Sequence, residues 1–354
     1  MPKLSFPKQK TGRNFFLPEN YPGSVQGAYR RFVGWNLVQM TFSSALGVLS
    51  TQQLLLALGI GSVSSSAALN WVLKDGLGQL GGVVFAGTVG SRFDGSVKYY
   101  RWVSSLVLNV ACGLEMAANC YPSHFLLIAS LSTTGKNISY LSASATKAAI
   151  NLSFCNAHNL ADVTAKNGTQ TTAACLIGTA LGTVLAYTCQ SYSQSLLAFA
   201  LCSCVNLYGT WGELKCVTLR NINVERGEML FAHFFESGQF LSPEEINGNE
   251  PFLLKRKVKG LRLCEEPPVQ SFSPLSQAGS FLIVPHAGQV FLLYSMKCTE
   301  EKMIEGFALA LSLLYSSKVR FPIDSKALMA GLEAAGWETN KAFLEPYHKR
   351  YALE

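Results

Sequence analysis

Charged residues are scarce in this sequence, at 14% of the 354 residues, against roughly 25% in ordinary globular domains. The scarcity is uneven, because Lys, Arg, Asp and Glu are all absent from residues 32–73 and 167–212 and return at ordinary density beyond Glu213. Mean hydropathy is +0.21. Since a soluble domain keeps charged groups on its surface, we expect the first two thirds of the chain to face lipid or to be very deeply buried.

Motifs for enzymatic chemistry are also missing. The sequence contains no G-x-S-x-G, no H-E-x-x-H and no Walker A motif, and its five histidines show no triad or metal spacing. It has ten cysteines but no C-x-x-C pair, which disfavours a zinc site. Most of these cysteines lie in apolar stretches, as is typical of buried thiols in a reducing compartment. We therefore expect no catalytic residue, no metal site and no cofactor.

Six apolar segments have lengths close to the roughly 20 residues that a membrane-spanning helix needs. They cover approximately residues 33–59, 67–90, 102–119, 123–146, 170–189 and 194–212. The last two are separated only by the polar turn "QSYSQS", which predicts a helical hairpin. The predicted fold is mostly α: a polytopic, membrane-type bundle of about six apolar helices, followed by a small α+β module.

Charges alternate along the connections between these segments. The first, third and fifth connections contain no charged residue, whereas the N-terminal arm, the second and fourth connections and the segment after the sixth helix carry cations. Loop cations gather on the inner side of membrane proteins. The pattern predicts a multi-pass membrane protein with both termini on the inner side, cytosolic or stromal. It also explains the net charge of +7 without a nucleic-acid partner.

The string "WVLKDGLGQLGG" allows two interpretations. Gly76, Gly78 and Gly81 match the dinucleotide-binding pattern G-x-G-x-x-G, but that pattern follows a strand, and the residues before it are helix formers. Gly78 and Gly82 also form a G-x-x-x-G pair, and a second such pair lies in the fifth segment. Close packing of membrane helices explains these glycines better. A soluble nucleotide-binding oxidoreductase is the third hypothesis for the chain, and it requires a parallel sheet.

Four charged residues lie inside the apolar segments: Lys74 and Asp75 in the second, Glu115 in the third and Lys136 in the fourth. Each costs roughly 2.5–3.5 kcal/mol or more at the bilayer centre unless it finds a partner or water. Adjacent helical residues point about 100° apart, so Lys74 and Asp75 are not expected to face one another. Two interpretations stay open, namely mutual neutralisation across helices and a polar cavity for an ion or small polar solute.

The last third of the chain has a different character. The strings "EMLFAHFFES", "EEKMIEGFALALSLLY" and "SKALMAGLEAAGW" predict helices, and "SFLIVPHAGQVFLLYS" predicts two strands around a turn at His286–Gly288. We expect a basic N-terminal arm, an apolar helical domain, an amphipathic helical connector and a small α+β domain, at residues 1–32, 33–212, 213–264 and 278–354. The Pro-rich stretch 265–277 is the expected linker. No secretory signal peptide is expected, because the first 20 residues lack an apolar core.

Several strings follow one another along most of the chain in a recognisable order. They are "LPENYPGSV", "WVLKDGLGQLGGVVFA", "FDGSVKYYRW", "SATKAA", "NLADVTAKNGTQ", "INVERGEML", "GQFLSPEEINGNEP" and "LEAAGW". Together they resemble the root-UVB-sensitive family. Matched residue by residue, the polar positions of the family motifs fall on Asp94, Lys98, Arg101, Asn159, Asp162, Lys166 and Gln170. One departure lies in "SATKAA", where this sequence has Lys147 and the family usually has Arg.

The resemblance implies a link to UV-B protection and vitamin B6 homeostasis, association between family members, and no established enzymatic reaction. We expect a non-enzymatic integral membrane protein, with the lipid bilayer as its partner, that carries a small charged solute such as a vitamin B6 form. The alternative is a membrane scaffold that works through homo- or hetero-association with family members. Convergence of Lys74, Asp75, Glu115 and Lys136 on an open pocket would favour transport, and mutual saturation would favour scaffolding.

Overall fold

The structure is a computed structural model that describes residues 15–59, 65–89, 93–156, 158–254, 258–267, 280–315, 324–345 and 350–351. Within these ranges the protein is mostly helical, with a small sheet-containing C-terminal part. The first 14 residues of the expected basic arm, most of the first connection and most of the expected linker lie outside the described residues.

Six long helices occupy the segments that the hydropathy of the sequence predicts. They are α1 (Tyr29–Leu58), α2 (Ser65–Val89), α3 (Val97–Ala118), α4 (Phe125–Ser153), α5 (Leu160–Thr188) and α6 (Tyr192–Lys215). The turn between α5 and α6 ends in a capping box, in which Ser191 and Gln194 satisfy each other's backbone N–H groups at the start of α6. Helix α1 packs against α3, α5 and α6, and α4 packs against α2 and α3, so α2 lies at one edge of the bundle and α5 near the other.

Three of these helices, α1, α5 and α6, are long and apolar enough to cross a membrane among the residues that the structure describes. The prediction of about six membrane-spanning helices is therefore confirmed only in part by length and hydropathy. Helices α2, α3 and α4 contain the charged residues discussed above, and α4 is in addition rich in Ser, Thr and Asn.

Glycines bring neighbouring helices close together. An added Cβ at Gly78 or Gly81 of α2 would lie 2.4 Å from a threonine methyl group of α4, and one at Gly178 of α5 would lie 2.1 Å from a carbonyl oxygen of α1. The interpretation of both G-x-x-x-G pairs as helix-packing sites is confirmed. The dinucleotide interpretation is wrong, because the glycines lie within α2 and the described residues before Asn221 contain no strand.

The C-terminal part combines short helices with two small sheets. Its elements are β1 (Asn221–Asn223), α7 (Val224–Ser237), α8 (Pro243–Asn249), β2 (Leu261–Leu263), β3 (Phe281–His286), β4 (Gln289–Tyr294), α9 (Glu300–Tyr315), α10 (Ser325–Ala334) and β5 (Glu338–Phe343). Strands β1 and β5 pair in parallel, and the second sheet has the order β2-β4-β3. The β3–β4 hairpin turns at Ala287 and Gly288, both with positive φ, as the predicted turn requires.

The core of the C-terminal part is apolar and centres on α9. Phe231, Phe281, Leu292 and Phe307 are fully or almost fully buried there, together with most of the aliphatic side chains of α9. The predicted helices at α7, α9 and α10 and the predicted hairpin are confirmed. Helix α8 and strands β1, β2 and β5 are additional, so the expected helical connector also contains strands.

Candidate functional site

The bundle of α1 to α6 buries polar side chains and exposes apolar ones. Its interior contains Asn36, Gln39, Lys98, Arg101, Ser105, Glu115, Ser139, Asn167, Gln170, Asn206, Thr210 and Glu213. Its outer surface carries Leu69, Val72, Leu80, Val83, Leu127, Leu131, Leu176, Ile177, Leu197 and Leu201. Buried apolar clusters lie beside these polar groups in the bundle, but the largely apolar outer surface and the number of buried polar side chains distinguish it from the C-terminal part and place the candidate site inside the bundle.

A cavity of about 280 Å³ lies among these buried polar groups. Its polar lining consists of Asn36, Gln39, Ser43, Arg101, Ser105, Ser139, Ser144, Lys147, Asn167 and Glu213. The volume is just below the range of about 300–1,000 Å³ typical of small-molecule sites. The cavity can therefore hold a small solute.

All five contributing helices reach the cavity at the same end of the bundle. Helices α1, α3 and α5 supply residues from their N-terminal halves, and α4 and α6 from their C-terminal halves. Consecutive helices joined by short connections run in opposite directions, so these halves lie side by side. This end of the bundle is also the one from which the chain enters the C-terminal part after Lys215.

Arg101 of α3 forms one wall of the cavity and is held by two other helices. Its Nη2 donates hydrogen bonds to Glu213 Oε2 on α6 and to Gln39 Oε1 on α1, both at 3.1 Å. Next to it, Ser105 Oγ lies 3.0 Å from both Asn206 Oδ1 and Thr210 Oγ1 of α6. On this wall the arginine and the glutamate neutralise each other.

Lys147 supplies the second cation of the cavity from α4. Its Nζ donates to Thr171 Oγ1 on α5 at 3.1 Å, and the described part of the chain places no carboxylate within ion-pairing distance of it. The cavity therefore holds two cations, Arg101 and Lys147, and one carboxylate, Glu213. In the sequence, Lys147 counts as a cation of the fourth connection and as a departure from a family motif, whereas the structure places it within α4. The sequence analysis did not select Glu213 as a site residue. One feature of the sequence could have identified it, because Glu213 is the first charged residue after a long uncharged run.

Two amide groups in the lining have hydrogen-bonding capacity that nothing in the described residues uses. The Nδ2 atoms of Asn36 and Asn167 are buried and make no hydrogen bond. Asn36 lies on α1 and Asn167 on α5, and both side chains are at least nine-tenths buried. Buried polar groups in folded proteins are almost always paired, so these two donors are candidates for ligand contacts.

The four charged residues singled out in the sequence do not line this cavity. Glu115 and Lys136 form an ion pair between α3 and α4, and Lys136 Nζ also donates to Ser50 Oγ of α1. Lys74 Nζ lies 2.6 Å from Asp75 Oδ1 and 4.0 Å from the centre of the Trp71 ring. The expectation that Lys74 and Asp75 would not meet is wrong, because the long lysine side chain bends back to its neighbour.

Three of the family-motif residues hold the segment before α1 against α5. Asp162 Oδ2 accepts a hydrogen bond from the Glu19 backbone N–H at 2.8 Å. Asn159 Nδ2 donates to the Ser24 carbonyl oxygen at 3.0 Å, and Gln170 donates to the Phe16 carbonyl oxygen. The "NLADVTAKNGTQ" string thus serves as the docking site of the "LPENYPGSV" string.

Lys98 belongs to a different buried cluster, at the junction with the C-terminal part. Its Nζ lies 2.7 Å from Glu250 Oε2 and donates to Asn247 of α8, and Arg226 Nε of α7 lies 3.3 Å from Glu250 Oε1. Burial alone would raise the pKa of the Glu250 carboxyl, but Lys98 and Arg226 outweigh that effect and hold the pKa below its ordinary value.

Of the remaining family-motif residues, Arg101 lines the cavity, whereas Asp94 is exposed and Lys166 is half-buried on α5. The structure therefore distributes five of the seven motif residues over three places, namely the cavity, the docking site of the N-terminal segment and the junction cluster. In the sequence these residues share only their resemblance to the family motifs, and that resemblance does not show that they lie in different places in the fold.

The geometry defines a helical bundle that encloses a cavity lined by both polar and apolar side chains and carries an appended α+β part. Residues 7–238 match the family described as the vitamin B6 photo-protection and homoeostasis domain, and the chain belongs to that family. The resemblance to the root-UVB-sensitive family is thereby confirmed.

Several relatives of known sequence are similar to this chain. Protein root UVB sensitive 3 of Arabidopsis thaliana is 28% identical over 362 residues, which cover 92% of this chain and 82% of the relative. Protein root UVB sensitive 4 of the same plant is 34% identical over 272 residues, covering 73% of this chain but only 52% of the relative. Protein root UVB sensitive 2, chloroplastic, is 26% identical over 366 residues, covering 96% and 84%. No solved structure matches the chain.

Proposed function

We propose that this protein is a non-enzymatic integral membrane protein whose six-helix bundle crosses the bilayer and carries a small charged solute in its cavity. The observation that carries the proposal is the largely apolar outer surface of the bundle, combined with many polar side chains buried in its interior. Apolar patches of this extent in water would drive aggregation, whereas in hydrocarbon they are the favourable surface.

The dimensions and aromatic residues of the bundle support this placement. Helices α5 and α6 have 29 and 24 residues. At about 1.5 Å per residue, both exceed the roughly 30 Å of a bilayer's hydrocarbon core. Tyr187, 87% exposed, lies near one end of the bundle, and Tyr208 and Trp211, both exposed, lie near the other. Aromatic residues are enriched at the two interfaces of membrane proteins.

Cations near the cavity end of the bundle support an orientation with both termini on the inner side. Lys147 and Lys166 lie within α4 and α5, and the fourth connection, residues 154–159, contains no Lys or Arg, so the cations predicted for that connection are not in it. In this orientation the cavity is reached from the cytosol or stroma. Since the family description refers to vitamin B6 and the relatives' names to UV-B sensitivity, we propose a vitamin B6 form as a candidate solute and a role in UV-B protection.

Membrane integration is tested by extracting membranes with alkaline carbonate and labelling cysteines with a membrane-impermeant maleimide. The native thiol of Cys120, exposed between α3 and α4, should label from the outer side. Cys216 is only 5% exposed and is a poor reporter of the inner side. An Asp94→Cys variant in a Cys120→Ser background provides an exposed inner-side thiol instead.

The expected result is a chain that stays in the membrane pellet and labels at positions 120 and 94 from opposite sides. Release into the carbonate supernatant, or labelling of both thiols from the same side, would contradict the six-crossing arrangement.

A membrane scaffold is the second candidate, and one observation favours it. Lys74, Asp75, Glu115 and Lys136 saturate one another, and α2 packs mainly on α4 while exposing Leu80 on its outer face. Co-isolation of two differently tagged copies, with and without Leu80→Ala in α2, tests this role. Association that depends on the α2 face but is unaffected by changes at Lys147 would favour the scaffold.

A further inference from the structure

The charges that line the cavity do not balance. Arg101 and Glu213 pair with each other, which leaves the ammonium group of Lys147 with the neutral hydroxyl of Thr171 as its described partner. Lys147 is partly shielded from solvent between α4 and α5. Glu213 is the one carboxylate of the described lining, and because it pairs with Arg101 the lining carries one cation more than it has carboxylates.

The unused hydrogen-bonding groups in the cavity are donors. Asn167 Oδ1 accepts from Thr171 Oγ1 at 3.5 Å, and the Nδ2 atom at the other end of the amide makes no bond. Thr171 thus links the Lys147 ammonium to the Asn167 amide through two consecutive hydrogen bonds. On the opposite helix, α1, Asn36 Nδ2 is also unpaired. A ligand that satisfies these groups must accept hydrogen bonds.

We infer that the cavity binds a small anion of the carboxylate or phosphate class, with its oxygen atoms accepting hydrogen bonds from Lys147, Asn36 and Asn167. The inference rests on the proposed function. It specifies that the charged solute proposed there is an anion. A cationic ligand would bring positive charge next to Lys147 and would leave both amide donors unused. An anion supplies the acceptor atoms that Lys147 and the two amide donors lack.

The route into the cavity passes beside α4. Ser144 is exposed and the Tyr140 side chain is 56% exposed, and both belong to the lining. The same anionic group can therefore arrive on a free solute from the inner aqueous side or on the headgroup of an anionic lipid from the surrounding leaflet. Both sources present the same oxygen acceptors to Lys147.

The test uses the full chain in phosphatidylcholine nanodiscs, with isothermal titration of inorganic phosphate and, separately, of tetramethylammonium. Phosphate should bind and tetramethylammonium should not. Lys147→Met should weaken phosphate binding by about tenfold or more, because a charge-assisted hydrogen bond is lost. Lys147→Arg should keep the affinity within a few-fold, and Lys326→Gln, an exposed lysine of α10, should leave it unchanged.

A second arm separates the two sources of the anion. Nanodiscs containing phosphatidic acid are analysed by native mass spectrometry for retained lipid. Retention by the wild-type chain and Lys147→Arg, but not by Lys147→Met, identifies a headgroup. Binding of phosphate without retained lipid identifies a free solute.

The inference is overturned if Lys147→Met binds phosphate as the wild-type chain does, or if neither phosphate nor phosphatidic acid binds. It is also overturned if tetramethylammonium binds in place of phosphate. If tetramethylammonium binds and Glu213→Gln abolishes that binding, the cavity binds a cation. The inference of an anion is then wrong, but the proposed carriage of a charged solute still holds. If carbonate releases the protein, or both thiols label from the same side, the proposed function in the membrane is wrong. The titration of the cavity tests anion binding independently of that result.

Discussion

Glu250 is the shared partner of two buried cations that come from different parts of the chain. Lys98 opens α3 in the bundle, and Arg226 lies in the first turn of α7 in the C-terminal part. Asn223 adds a third link, since its Oδ1 accepts from the Arg226 backbone N–H and its Nδ2 donates to the Gly95 carbonyl oxygen. One carboxylate therefore fixes the contact between the two parts of the protein.

Replacing Glu250 by Gln should destabilise this junction strongly. Removal of one partner from a buried ion pair costs about 3–5 kcal/mol, because the remaining charges stay buried without compensation. Thermal unfolding of the purified protein, followed by circular dichroism, measures the loss. Glu244→Gln, an exposed glutamate of α8, is the matched control and should change the unfolding temperature little.

The same carboxyl gives the junction a dependence on pH. The folded-state pKa of Glu250 is lowered relative to the unfolded chain, so the stabilisation is fully present above the unfolded pKa of about 4.3. It is lost as the pH falls through the folded-state pKa, where the carboxyl becomes protonated. Unfolding temperatures measured from pH 6 down to pH 3 should fall more steeply for the wild-type chain than for Glu250→Gln. Parallel curves for the two proteins would contradict this assignment.

At the scale of elements, the contact between α1 and α5 depends on the absence of a side chain at Gly178. An added Cβ would lie 2.1 Å from the Thr41 carbonyl oxygen, so Gly178→Ala forces the two backbones apart. Overpacking of this kind costs about 1–3 kcal/mol. Gly168→Ala in the same helix is the control, because nothing lies within 4 Å of its Cβ position and alanine favours helix. In detergent, the unfolding temperature should fall for Gly178→Ala and rise for Gly168→Ala.

The segment before α1 should become mobile when its docking site on α5 is removed. Asp162→Ala removes the acceptor for the Glu19 N–H, a bond to a charged group that contributes about 1.5–3 kcal/mol. Hydrogen–deuterium exchange of residues 19–25 should then speed up. Thr169→Ala is the control, since that exposed hydroxyl bonds only to the Ala165 carbonyl oxygen of its own helix. Equal exchange in both variants would show that the segment is held by other contacts.

The positions of the long helices could be predicted from the sequence, whereas the cavity could not. Runs of apolar residues locate α1 to α6 directly, and G-x-x-x-G spacing identified two of their contacts. Strands β1 and β2 have only three residues each, too few to show an alternating pattern. Lys147, Asn167 and Glu213 meet because of how α4, α5 and α6 are rotated about their axes, which no spacing along the chain specifies.

For the whole molecule, the largely apolar outer surface of the bundle predicts where a new charge is tolerated. Leu176 of α5 is 69% exposed and Leu254 of the C-terminal part is 78% exposed. Leu176→Arg should cost about 2.5–3.5 kcal/mol or more if lipid surrounds it, whereas Leu254→Arg in water should lie within about 0.5 kcal/mol. The yield of folded protein in the membrane fraction and its unfolding temperature measure the difference. Equal tolerance at both sites would indicate an aqueous surface around α5.

The junction cluster bears on how this protein can be shortened. The part of the chain that matches the family ends at residue 238, yet the carboxylate that compensates Lys98 and Arg226 is supplied by Glu250, twelve positions later. A truncation at the family boundary would remove the carboxylate that Lys98 and Arg226 share and uncover both cations to solvent. A fragment intended to retain this junction must continue at least through Glu250.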